Sequence, residues 1–362
     1  MVNEAATRPG DHGLATTHAG DPSGQRLVQL DGLRGIAAIA VMVYHIHNIF
    51  GLTLGFERAY LFVDVFFMLS GFVLQLAWSS TSTHAFDAAA VLKARVRRLW
   101  PTIAAAAILG AIIHAFLGDV AHPTTFLLLA LLIVPAIWND GAIFPLNGPQ
   151  WSLFWEGVAN LVHVLWLRRL TERELVLVSL VMGLSVITAI ELWGAAMFGP
   201  TSNGWWLALA RVGWSYTAGM LIGRRYQATH WRPVLSWWQA LALPMLVVLA
   251  LPFVPLPTKT GDELLIIVVF PLLFWLLATA RPPRRAREAL ARLGALSFPL
   301  YAVHLPLLDL FAGFGVPRIA AAALATTASL LFAMGLSGAG GRRGEMASPT
   351  AAAGNLPRRQ AV

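Results

Sequence analysis

From residue 33 onward the chain alternates long apolar runs with short polar breaks rich in arginine. Runs long enough to cross a bilayer, about 17 to 25 residues, lie at 33–53, 60–79, 100–118, 150–167, 174–194, 204–223, 236–254, 262–280, 293–312 and 316–336. An eleventh run, "TTFLLLALLIVPAIW" at 124–138, is short and contains Pro135. Spanning backbone must satisfy its own hydrogen bonds in lipid. The pattern therefore predicts an all-α polytopic membrane protein with about ten transmembrane helices plus one short re-entrant or interfacial segment. Residues 1–26 have no apolar core and read as a disordered cytoplasmic tail, neither signal peptide nor span. Residues 27–336 form the membrane domain, and the small-residue-rich stretch 337–362 reads as a second disordered tail.

Charge decides the parity. Arginines cluster at Arg95, Arg97 and Arg98; at Arg168 and Arg169; at Arg224 and Arg225; in "RPPRRAR" at 281–287; and at Arg342 and Arg343. Cytoplasmic loops carry the excess of Lys and Arg. From a cytoplasmic N-terminus, two spans return the chain to the 95–98 cluster and the third leaves it outside near residue 119. If 124–138 crossed, every later cluster would fall outside; if it does not, all fall inside. The sequence thus predicts ten crossings, both termini cytoplasmic and residues 120–148 largely on the outer side.

Composition agrees: 57% of residues are hydrophobic and only 12% charged, with 14 tryptophans. The excess of base over acid, 26 against 18, sits between apolar runs, which argues for membrane topology rather than nucleic acid. The chain has no cysteine, so it has no disulfide, no thiolate nucleophile and no Cys-based metal site. No metal is expected.

Ionisable residues inside spans are costly and call for a reason. Arg34 and His45 are eleven positions apart on the first span. At 100° per residue that is about 20° past three turns, so they share a face roughly 16 Å apart, with Asp31, Ala38 and Val41 on much the same stripe. The stripe is open to two readings: a flanking anchor with a packing histidine, or a guide for a long ligand with its anionic end at Arg34. Asp64 lies inside the second span and calls for a histidine or arginine on a neighbouring helix. Arg95 and Arg98, at i and i+3, share a face suited to phosphate, whereas Arg97 reads as a topology signal. Ser152, Glu156, Asn160 and His163 form a polar stripe that must face protein or a cavity. Arg211 sits deep in its run, and Tyr301 and His304 share a face beside Pro306. His114, Glu191 and Asp309 read as structural.

Together these residues resemble the acyltransferase 3 family of integral-membrane O-acyltransferases. The resemblance covers residues 28 to about 315 and rests on an ordered set: "LDGLRG" with Arg34, ten residues and His45; "DVFFMLSGF"; the Arg-x-x-Arg pair before "LWP"; "WSLFWE"; and "LSFPLYAVHLPLL". Departures are Trp155 and Gly157, Phe298 in place of the usual tyrosine, and low-complexity sequence after Leu336. The resemblance implies a stand-alone enzyme, without an SGNH domain, transferring groups other than aminoacyl groups. The reaction moves an acyl group, commonly acetyl, from cytoplasmic acyl-CoA to a hydroxyl of a carbohydrate or glycosylated small molecule. It implies His45 as the catalytic residue and Arg34, Arg95 and Arg98 as donor-binding residues.

An activated thioester needs an acceptor hydroxyl deprotonated and held near the carbonyl. His45 suits a general base, with Asp64 or Glu156 orienting its other ring nitrogen, or a transient acyl carrier. Ser152, Trp151, Arg211, Tyr301 and His304 are expected to support substrate or architecture. The expected partners are membrane lipid, acyl-CoA and a glycan-type acceptor, in a bacterial plasma membrane. The alternative class is a transporter or flippase, which also uses midplane ionisable groups, although no inverted repeat or matched broken helices are evident.

Overall fold

The computed structural model describes residues 27–79, 88–228 and 233–346. Its helices are α1 Val28–Phe50, α2 Phe62–Ser79, α3 Ala88–Leu117, α4 Pro123–Leu132, α5 Gln150–Leu165, α6 Glu172–Trp193, α7 Ala208–Ala228, α8 Trp237–Ala250, α9 Thr258–Leu264, α10 Phe270–Thr279, α11 Arg284–Gly313 and α12 Arg318–Met346. A π-helical stretch, Leu265–Val269, fuses α9 and α10 into one rod. Among the described residues there is no strand beyond an isolated bridge between Ala142 and Thr201.

Every predicted span carries a helix, and the protein is an all-α polytopic membrane protein. Length and composition alone single out seven helical rods able to cross. The remaining predicted spans are α5 with 16 residues, α7 with 21 and α8 with 14. At 1.5 Å per residue α5 is about 24 Å long, short of a hydrocarbon layer of about 30 Å. Sequence turns α7 polar for a different reason: it buries Arg211, Ser215, Tyr216 and Thr217 among other helices rather than facing lipid.

The short eleventh run forms α4, whose ten residues reach only about 15 Å. It ends at Ile133, which adopts a left-handed φ of 56°. Its terminal carbonyls are taken up by side chains: Gln150 donates to Ala130 O at 2.5 Å and Trp100 Nε1 to Leu131 O at 3.1 Å. That answers the requirement that non-spanning backbone at membrane depth be satisfied by protein. Two boundaries differ from the sequence reading. Helix α3 starts at Ala88 and runs through Pro101, so Arg95, Arg97 and Arg98 ride on the helix itself. Helix α12 continues past Leu336 to Met346. The expected tail at 1–26 lies outside the described residues, as does the part of the expected 337–362 tail beyond Met346.

Two helix contacts position the site. Helix α1 packs along α11, and the approach is close because Gly294 has no side chain: a Cβ there would lie 2.5 Å from the Asp31 Cβ. Helix α2 packs along α7 with reciprocal glycines, Gly71 against the Tyr216 backbone and Gly219 against the Met68 backbone. Small residues are what let helix backbones approach in a membrane.

Helix α11 contains Pro299 and Pro306, each of which leaves a carbonyl four residues back without its helical donor. A side chain replaces one of them, since Asn147 Nδ2 donates to Ala302 O at 2.8 Å; Ser337 Oγ lies 3.3 Å from Ala295 O, with Ala333 O closer at 2.8 Å.

Candidate active site

Helices α1 and α11 bring two histidines together. His45, half-buried, lies with its ring centroid 5.1 Å from that of His304, the planes tilted by 43°. No hydrogen bond joins them. His304 is fully buried, and its Nδ1 is 3.1 Å from Leu300 O. A carbonyl can only accept, so Nδ1 carries the proton and Nε2 presents a lone pair. That Nε2 is buried without a hydrogen-bond partner among the described residues.

One helical turn away on α11, Tyr301 packs against His304, centroids 5.8 Å apart, and its hydroxyl meets Ser152 Oγ at 2.8 Å. Ser152 also donates to Pro149 O at 2.9 Å. The Tyr301 ring meets Phe66 edge-on at 5.4 Å. The Ser152 bond ties α5 to α11, and the Phe66 contact ties α2 to α11, one turn from His304.

Four residues further along α5, Glu156 opens a second polar cluster. Ser70 of α2 donates to Glu156 Oε1 at 2.8 Å and lies 3.2 Å from Asn160 Oδ1. Arg95 of α3 donates to Ser70 Oγ at 3.0 Å and lies 3.7 Å from Glu156. Tyr216 of α7 closes the cluster, donating to Asn160 at 3.0 Å and meeting His163 Nδ1 at 3.2 Å. The α5 polar stripe faces protein, as its spacing requires. Polar groups thus form two clusters one helical turn apart along α5: His45, His304, Tyr301 and Ser152 in the first, Glu156, Ser70 and Arg95 in the second.

Arg34 is anchored to α11. Its Nε donates to Ser297 Oγ at 2.9 Å and its Nη2 to Gly294 O at 3.0 Å, with Asp31 at 3.6 Å. Its side chain keeps 23% of its surface exposed. Between Arg34 and His45 the shared stripe is closed, since Ala38 and Val41 are buried in the core. The face is a helix contact there rather than an open guide. Arg98 is exposed and Arg95 half-buried, so the two arginines of the predicted clamp have different surroundings.

Asp64 has a different partner from the one proposed for catalysis. Arg211 donates to Asp64 Oδ2 from Nε at 2.8 Å and Nη2 at 2.6 Å, while Ser215 donates to Oδ1 at 2.9 Å. Arg211 also donates to Ala196 O at 2.6 Å and Tyr60 O at 3.0 Å. Trp151 belongs to the same region, its ring centroid 6.0 Å from the Arg211 guanidinium and edge-on to Phe67. The expectation that Asp64 or Glu156 orients His45 is therefore corrected: the first is bonded to Arg211 and Ser215, the second to Ser70 and Arg95. Each carboxylate is drawn to the cation nearest it.

Outside the site, His114 meets Asp119 at 2.9 Å, and Lys259 pairs with Glu191. Among the described residues no cluster of three His, Asp or Glu side chains is arranged to hold a metal.

Sequence reasoning passed over Ser297 and Tyr216. Ser297 carried a signal: it precedes His304 by seven residues, hence shares its face to within about 20°, just as Arg34 shares the face of His45. Tyr216 carried none, since its role depends on a neighbouring helix.

The sequence model of the acyltransferase 3 family, described as an acyltransferase domain, matches residues 27–338. A curated relative, "Protein 2 in picA locus" of Rhizobium radiobacter, is 35% identical over 188 residues, covering 46% of this chain and 95% of that protein. No solved structure matches the chain.

Proposed function

The chain belongs to the acyltransferase 3 family and is a membrane acyltransferase; on that premise we propose that it moves an acetyl group from acyl-CoA to a hydroxyl of a carbohydrate or glycosylated small molecule. The observation that carries this reading is the placement of His45 beside His304 at one polar cluster, with Arg95, Ser70 and Glu156 in a second cluster one turn further along α5. We place the protein in a bacterial plasma membrane with both termini cytoplasmic and the membrane domain at 27–336.

Arg34, Arg95 and Arg98 bind the donor's phosphates, for which planar guanidinium groups are suited. The thioester arm follows the α5 polar face rather than the closed α1 stripe. His45 takes the acceptor's proton as its oxygen bonds to the thioester carbon. The carbon–sulfur bond then breaks, and the leaving thiolate takes the proton back. A positioned base contributes about 10²- to 10⁴-fold. Ser152 and Tyr301 support the site from α5 and α11, and Trp151 and Arg211 brace it.

The test is transfer of label from [14C]acetyl-CoA into glycan or secreted product by membranes of a deletion strain with and without the complementing gene. Gene-dependent label in a hydroxylamine-labile ester supports the reading. Equal label in both membranes would sink it.

A further inference from the structure

Among the described residues no carboxylate is bonded to His45, and the ring beside it is that of His304. We propose that His304 is the positioning residue for His45: its Nε2 accepts a hydrogen bond from the His45 ring once that ring has taken the acceptor's proton. The proposal rests on the acyl-transfer reading above and deepens it.

Four observations lead there. The Nδ1–H of His304 is held by Leu300 O at 3.1 Å, which fixes the tautomer and leaves Nε2 as an acceptor. That Nε2 is buried and unpartnered, an unfavourable state that a fold retains at functional positions. The adjacent ring is His45, 5.1 Å between centroids; the Tyr301 hydroxyl, also nearby, is already engaged by Ser152. Both carboxylates that might have served are bonded elsewhere.

The proton balance is closed. As the acceptor oxygen bonds to the thioester carbon, its proton passes to one ring nitrogen of His45. The ring then carries N–H groups at both nitrogens, and one of them donates to His304 Nε2. When the carbon–sulfur bond breaks, His45 returns the proton to the thiolate. His304 gains and loses none. A neutral acceptor does this without placing a carboxylate charge in hydrocarbon, which is costly. The resting rings are too far apart or misaligned for a hydrogen bond, and catalytic bonds commonly tighten only when substrate is bound.

Replacement by Gln and by Met separates this role from packing. Both are close to histidine in size; Gln retains an acceptor oxygen, whereas Met is apolar and better suited to a buried slot. Rates of [14C]acetyl transfer are measured per folded molecule, counted by fluorescent size-exclusion chromatography. We expect His304→Gln to keep about a tenth of wild-type kcat and His304→Met about a hundredth or less, with KM for acetyl-CoA within about twofold in both. Met equal to or better than Gln, or a loss confined to KM, would overturn the proposal while wild-type transfer leaves the acyltransferase reading standing. Absence of transfer by the wild type would remove both. If either variant yields no folded protein, His304→Asn against His304→Leu gives the same contrast of acceptor and apolar side chain.

Discussion

Arg211 of α7 grips a single oxygen of Asp64 on α2 with two guanidinium nitrogens, at 2.8 and 2.6 Å, and both residues are almost wholly buried. The pair sits where reciprocal glycines bring the two helices together. Removing one partner from a buried pair leaves an uncompensated charge and costs about 3 to 5 kcal/mol. Arg211→Ala should therefore reduce folded protein sharply, whereas Asp64→Leu with Arg211→Met should recover much of the abundance. Equal losses in single and double variants, read by fluorescent size-exclusion chromatography, would count against this account.

His45→Gln should insert and accumulate normally yet transfer no measurable acyl group, because Gln retains hydrogen bonding but cannot take a proton near neutral pH. Arg34→Lys should be intermediate, since Lys keeps charge but not the fork that reaches both Ser297 and Gly294. Substantial transfer by His45→Gln at matched abundance would return His45 to a packing role.

Arg95→Ala and Arg98→Ala should each raise the KM for acetyl-CoA by about tenfold, corresponding to roughly 1.4 kcal/mol, with Arg97→Ala near wild type. Arg95→Ala should additionally loosen Ser70 and Glu156, which it touches. Identical effects of all three substitutions would reduce the cluster to a topology signal.

Gly294→Val should force α11 away from α1, because even a Cβ there meets Asp31. Overpacking of this kind costs about 1 to 3 kcal/mol. It should also separate Arg34 from Ser297 and His45 from His304. The expected result is a lower melting temperature with transfer reduced more than abundance; unchanged melting and activity would show that the contact tolerates the added bulk.

Topology can be read with single cysteines, since the chain has none. Asp140→Cys should react with an impermeant thiol reagent in intact cells, and Arg285→Cys only after lysis. Both positions are exposed, so burial will not mask the result. Labelling of Arg285→Cys in intact cells would reject the cytoplasmic placement of the arginine clusters.

The amino-acid pattern was sufficient for the helices and for which residues share a face. Lipid requires long apolar helices, so the runs were legible as helices, and α4 was legible as too short to cross. The helical period placed Arg34 with His45 and gave α5 its polar stripe, because both are properties of a single helix. Tertiary structure decided the rest. Period cannot say which helix stands next to which, so Asp64 was readable as needing a cation but not as needing Arg211, and the neighbour of His45 was sought among acids. That neighbour is His304, because glycine at position 294 lets α1 lie close along α11; burial of Ala38 and Val41 in the core closes the α1 stripe. Helix faces are local consequences of 3.6 residues per turn; partnership across helices follows from where backbones can approach, which depends on residues distant in sequence.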